Sequence, residues 1–387
     1  MRKILSFFLS VMLLLSLCAC GSSDVPGSTT ENPGGGQAER PKPVNPSSSS
    51  SAQIQPEKPL TITYDEATKT ILVSGNGVVN DYNSTSSRRH DEYKDKAVRI
   101  VVEEGCIGIG KNAFSEFSLV TEVILPSSLT YIGAYAFSSC ESLTTISFPD
   151  NLSEIGAYAF KNCKVLTTVD LPKNLHTLDS GAFENCESLK NVTIYDAIRY
   201  LAPYVFRWCP LEYTEYNGIM YMGNAENPYV VAVEVDDSDA EQYVLADTTI
   251  MVGPYAFNEC SVSEITIPDS VLVLAGSAFK RSALESIQLS SNLLRIGDEC
   301  FKYCGRLTSV DLPDTLTHIG MNAFDECTGL SQITLPASLV EIGNTPFKYT
   351  AITQITYLGS IADWEKITKQ DSGKNATVHC TDGDVTF

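Results

Sequence analysis

Histidine is scarce in this chain of 387 residues, with only His90, His176, His318 and His379. There is no Gly-x-Ser-x-Gly, no His-Glu-x-x-His and no phosphate loop closing in Gly-Lys-Ser or Gly-Lys-Thr. Those arrangements expose a nucleophile, hold a catalytic zinc or cradle a triphosphate. With them missing, no enzyme chemistry and no cofactor are expected. Basic residues are also few, 27 against 47 acidic ones, for a formal charge of −20. A surface of that sign repels phosphate backbones, which argues against nucleic acid as a partner and against polybasic attachment to anionic lipid. Long apolar runs are limited to one, at residues 4–17, too short to cross a bilayer comfortably.

That run has Arg2 and Lys3 in front of it and ends in Leu17-Cys18-Ala19-Cys20-Gly21, the order of an export signal. The ending resembles the lipobox of bacterial lipoproteins, with Leu17 and Ala19 in the aliphatic and small places and Cys20 as the residue that takes lipid. Cys18 is a less usual occupant of the place between them. The resemblance implies that residues 1–19 are removed and that acyl chains on Cys20 anchor the protein to a membrane outside the cytoplasm, two or more chains being enough for stable attachment. Residues 20–57 are Gly, Ser, Pro, Thr and Glu with little to bury, as in Gly34-Gly35-Gly36. They read as an unfolded spacer of about 35 Å.

Beyond the spacer the chain keeps returning to one phrase. Phenylalanines at 114, 137, 160, 183, 206, 257, 279, 301, 324 and 347 lie 22 or 23 residues apart, except for 51 between Phe206 and Phe257. A period of this size marks a solenoid. Five residues before each phenylalanine stands an aliphatic: Ile109, Ile132, Ile155, Leu178, Leu201, Val252, Leu274, Ile296, Ile319 or Ile342. Glycine follows in seven coils, with Asp179, Ala202 and Ala275 in the other three. The alanines point to close packing, not a left-handed backbone, as the reason for glycine there.

Export favours disulfides, yet Cys140, Cys163, Cys186, Cys209, Cys260, Cys304 and Cys327 each stand three residues after a phenylalanine. Adjacent coils would carry them side by side with parallel Cβ vectors, a poor geometry for bridging. They read as small buried hydrophobes. Cys300 takes the alanine place before Phe301, so with Cys304 it is a packing pair and not a metal site. A strand follows each cysteine, as in Leu166-x-x-Val169-x-Leu171, and it usually closes at proline. Its outward positions, such as Thr168 with Asp170 and Glu264 with Thr266, are small and polar and carry no aromatics.

The phrase at 155–175, Ile-Gly-x-x-Ala-Phe-x-x-Cys-x-x-Leu-x-x-Val-x-Leu-Pro-x-x-Leu, resembles the BspA-like, treponemal-type leucine-rich repeat. The resemblance implies an α/β solenoid, a right-handed superhelix of about ten coils with a parallel sheet on one face and short helical or irregular turns on the other. Residues 58–100 then form a β-rich N-terminal cap, 101–357 the array and 358–387 a C-terminal cap. Within the first cap, the polar run at 83–96 reads as a loop and its His90 as solvated. The better-known members of the family are bacterial surface proteins that bind host matrix proteins or other cells, others having no assigned partner, and the resemblance implies a protein or glycoprotein ligand.

The long interval leaves an insert at about 211–249. Asn217-Gly218 and Gly223-Asn224 are turn signals, and the segment reads as a β-hairpin projecting from the array. Candidate ligand-binding residues come from two places. Tyr158, Tyr204 and Tyr255 belong to a column that begins at Tyr135, two residues before the phenylalanine; Tyr216, Met220, Tyr221 and Tyr229 belong to the insert. For both groups, contact with a partner and packing on the solenoid stay open as readings. Asp237, Asp239 and Glu241 alternate like the start of a calcium loop, but Gln242 occupies the glycine place, and a solvated acidic turn is expected. The function expected is lipid-anchored surface recognition or adhesion. The alternative is a stiff spacer or envelope component without a specific ligand.

Overall fold

A computed structural model describes residues 59–83, 88–240, 242–369 and 376–387. The signal, Cys20 and the spacer lie outside the described residues. The described core falls in one unit, Gln55–Phe387, a β-solenoid of about twelve turns with almost no helix. We number the ten phenylalanine coils 1 to 10, from Phe114 to Phe347.

Most coils contribute to parallel pairing in two places. The strand after the cysteine pairs with its counterpart one period on, Thr168–Asp170 with Asn191–Thr193, Val169 opposite Val192. The aliphatic residue before the phenylalanine forms a second ladder of two-residue strands. There Ile132, Ile155, Leu178 and Leu201 lie in register. Two residues are too few for alternation to declare a strand, so the second ladder leaves no periodic trace of its own.

Between these strands the chain turns through the phenylalanine. The residues two before and two after it are left-handed: Tyr158 and Asn162 around Phe160, at φ 58° and 60°, and Asn322 and Glu326 around Phe324, at 54° and 62°. For residues with a Cβ this conformation costs about 1–2 kcal/mol. A three-bond ladder offsets it. Tyr158 N–H donates to Ser180 O (2.9 Å), Phe160 N–H to Ala182 O (2.7 Å) and Asn162 N–H to Glu184 O (2.9 Å), so alternate donors of one coil meet alternate carbonyls of the next.

The rings above this ladder stack face to face. Phe137, Phe160 and Phe183 follow at 5.4 and 5.2 Å, and Phe257, Phe279, Phe301 and Phe324 at 5.1, 5.5 and 5.2 Å. The cysteines queue beside them as free thiols. Cys163, Cys186 and Cys327 each donate to the phenylalanine carbonyl one coil back, Phe137, Phe160 and Phe301, at 3.5, 3.3 and 3.0 Å. Burial pushes the Cys140 thiol up to about 12, which leaves it an inert donor and not a thiolate nucleophile.

The repeat glycine does serve close packing. A Cβ on Gly320 would stand 2.4 Å from Asp298 N and 2.5 Å from Gly297 C, whereas on Gly276 it would meet nothing nearer than Asp298 O at 3.3 Å. Gly320→Ala must push two backbones apart and is expected to cost about 1–3 kcal/mol or more. Gly276→Ala is expected to cost well under half of that. Urea denaturation of the two variants checks the contrast, and equal losses would contradict it.

Side chains cover both ends of the aromatic stack. Coil 1 presents Lys111, Ala113 and Ser115 carbonyls with no preceding coil. Tyr82 N–H donates to the first (2.9 Å), His90 Nε2 to the second (2.7 Å) and Arg88 Nη1 to the third (2.9 Å). The expectation of a solvated His90 is thereby corrected. The ring is 3% exposed and lies 5.4 Å from Phe114, where it completes the aromatic stack. Burial depresses its pKa. At the other end Trp364, on the short helix Ile361–Lys366, packs with Phe387, and Phe387 rests edge-on against Phe347.

The insert also departs from expectation. It does not project as a hairpin. Thr214–Tyr216, Ile219–Met222 and Val231–Val235 form an antiparallel meander, and the last strand pairs in parallel with Met251–Val252 of coil 6. Tyr221 packs into the core of the second half while neighbouring Met222 packs into that of the first. Ile219–Met222 and the start of Val231–Val235 are buried on both faces, which a free hairpin would leave wet.

Candidate functional site

The insert separates two stacks. The strand Tyr200–Leu201 of coil 5 is the edge of its sheet, since coil 6 pairs with the insert instead. On the coil 6 side Tyr243 lies edge-on against Phe257 at 5.5 Å and closes that stack; its hydroxyl donates to Asp237 O. On the coil 5 side Phe206 stacks on Phe183 at 5.7 Å and stays half-buried. The two coils still touch through the hydroxyls of Tyr204 and Tyr255, 3.0 Å apart. Burial, reinforced by Tyr204, raises Tyr255 to about 12, so the Tyr255 hydroxyl keeps its proton.

The proposed binding residues fall into three groups. Tyr204, 49% exposed, and Tyr255 form the hydroxyl pair. Tyr216, exposed, lies 5.2 Å from the half-buried Tyr229, with half-buried Met220 on the same strand. Tyr158 stacks on Tyr135 at 5.0 Å and is cut off from Tyr204 by Gly181, where a Cβ would strike the Tyr158 ring at 2.4 Å. Tyr221 has to be withdrawn from the surface. It is 1% exposed, and its oxygen accepts from Ala246 N–H at 3.1 Å.

Two functional candidates were missed. Trp208 is 60% exposed, and the Arg207 guanidinium lies over its ring at 4.2 Å and over Tyr204 at 5.1 Å. The signal was present, because Trp208 stands in a column otherwise filled mainly by Asn, Ser, Glu and Tyr. Behind the tyrosine pair is a half-open cleft of about 190 Å³, lined in part by Arg199, Tyr200, Tyr255, Arg295 and Glu299. Burial opposes ionisation of Glu299, but Lys280 at 2.6 Å and Lys302 at 3.1 Å outweigh it and hold the carboxyl below its usual range. Arg295 lies over Tyr200 at 5.8 Å. Among the described residues no cluster of His, Cys, Asp or Glu has metal-ligand geometry, and no helix is long and apolar enough to cross a membrane.

The profile of the BspA type leucine rich repeat region matches residues 93–223 and 250–371, in six copies. The chain belongs to the BspA-type leucine-rich repeat family. The gap between the matched segments, residues 224–249, falls inside the insert. Among solved structures, the BspA-type array is similar to a leucine rich cell surface protein from Faecalibacterium prausnitzii A2-165, at 24% identity over 83% of this chain and 99% of that one, with a TM-score of 0.39. It is also similar to a leucine-rich repeat protein from Bacteroides ovatus ATCC 8483, at 21% identity over 84% and 99%, TM-score 0.35. The pneumococcal vaccine antigen PcpA matches at 15% identity over 81% and 95%, TM-score 0.34. No curated protein matches this BspA-type chain.

Proposed function

We propose that this protein is a recognition or adhesion module of the cell surface, lipid-anchored at Cys20 and lifted by the spacer, that binds protein or glycoprotein ligands at the insert junction. The observation that carries the reading is the exposed group of Tyr204, Arg207 and Trp208, at the place where the array is interrupted. Aromatic residues and arginine supply most of the energy at protein interfaces. The outward strand positions are polar and small, as on Glu264–Thr266 and Ser286–Gln288, and offer no comparable anchor.

The unit 55–387 holds the whole described core, its aromatic stack covered at both ends, and is the fragment to screen against matrix proteins, mucins and cell-wall polymers. Saturable capture is expected, weakened about tenfold or more when Tyr204, Trp208 and Tyr216 are replaced together by serine. A fragment with no saturable ligand would instead be a spacer.

A further inference from the structure

The other coil boundaries in this array are sealed by alternate N–H to carbonyl bonds, three at most of them and two between coils 4 and 5 and between coils 6 and 7. Phe183 N–H meets Val205 O at 2.9 Å, and Phe257 N–H meets Ala278 O at 2.8 Å. At coil 5 the corresponding donors are Tyr204, Phe206 and Trp208, and none of their N–H groups has an acceptor among the described residues. Residues Tyr204 and Trp208 keep the left-handed backbone of the ladder, at φ 65° and 63°, so the template is intact and only the next coil is missing from it. Beside it lie the half-buried face of Phe206, the exposed ring of Trp208 and the Arg207 cation, which has no carboxylate partner among the described residues.

We propose that the open end of coil 5 binds a peptide segment of a partner protein, which continues the stack where the insert has diverted the chain. This deepens the recognition reading above and rests on it. Three alternate main-chain carbonyls of the partner take the three N–H groups, in the manner of strand addition to an unpaired edge. An aromatic side chain lies on Phe206, and an acidic residue of the partner meets Arg207, an unpaired cation on a body of charge −20. A second copy adding head to tail is a poor occupant. Its coil 1 carbonyls already accept from Tyr82, His90 and Arg88, and so have no free face to present.

The chain has two tryptophans, and with Trp364 2% and Trp208 60% exposed, a binding-induced change in emission reports on Trp208. The probe is a library of ten-residue peptides patterned on residues 178–187, the segment that fills this place on coil 3, with phenylalanine and its flanking acidic residues fixed, serine for cysteine and the other positions varied. The expected result is a saturable blue shift of emission. Arg207→Glu should weaken binding at least tenfold, and Trp208→Ala, followed by calorimetry, should do the same. Failure of every such peptide overturns the inference, as does binding that Arg207→Glu leaves unchanged. If the screen of matrix proteins and mucins still captures a ligand, the recognition reading survives that failure; if neither assay finds a ligand, both readings fall.

Discussion

Replacing Phe160 by alanine is expected to cost about 3–5 kcal/mol of stability, the range for a large aromatic removed from a closed core. The ring is wholly buried, sandwiched at 5.4 Å and 5.2 Å by Phe137 and Phe183, with Phe148 edge-on at 5.6 Å. No side chain can collapse into the gap, because each neighbour is held by its own ladder bonds on both sides. The left-handed Tyr158 and Asn162 lose the packing that keeps them there, so the damage should spread to adjoining coils before it unfolds the chain, as expected for an array stabilised by neighbour interfaces. Phe206→Ala makes the same chemical change where the ring is stacked on one face and half-buried, and about 1–2 kcal/mol is expected from partial burial. Guanidinium denaturation of both variants measures the difference. Equal costs would contradict a stack that stops at coil 5.

The second large effect is predicted for removal of residues 217–241. On a projecting hairpin this deletion would be harmless to folding. Here it takes away Ile219, Tyr221, Met222, Val230 and Val231, all buried, and the strand that pairs with Met251–Val252. At about 1.5–3 kcal/mol per buried apolar side chain, the loss is on the order of 10 kcal/mol, comparable with the whole stability of a typical domain. Coils 6 to 10 should lose their N-terminal closure and expose apolar surface, seen as dye binding and loss of the cooperative thermal transition. A well-folded deletion variant would show that the meander is an appendage after all.

The stack itself was legible in the sequence. Phenylalanine, the preceding aliphatic and the cysteine recur at fixed offsets, and each column proved to be a row of buried side chains, except that Phe206 and Cys209 of coil 5 are half-buried. The caps were harder to read, because they imitate the repeat with different chemistry. Arg88 and His90 replace main-chain N–H groups with side-chain donors, and in sequence they look like ordinary polar loop residues. The insert misled for a related reason. Alternation in Ile219-x-Tyr221 and Val231-x-Val233 announces strands but not their neighbours, and only pairing with coil 6 turns a hairpin into part of the wall. The open donors of Tyr204, Phe206 and Trp208 have no side-chain signature, since what is missing there is the next coil's carbonyl row.

Site-resolved amide hydrogen exchange of the unit 55–387 tests the central claim, that the array is two sealed stacks joined at an unsealed boundary. Slow exchange is predicted for Phe160, Phe183, Phe279 and Phe301, whose N–H groups are bonded to the next coil, and fast exchange for Tyr204, Phe206 and Trp208. Protection at coil 5 as strong as at its neighbours would mean that the ladder runs unbroken and that nothing is left there for a partner to complete.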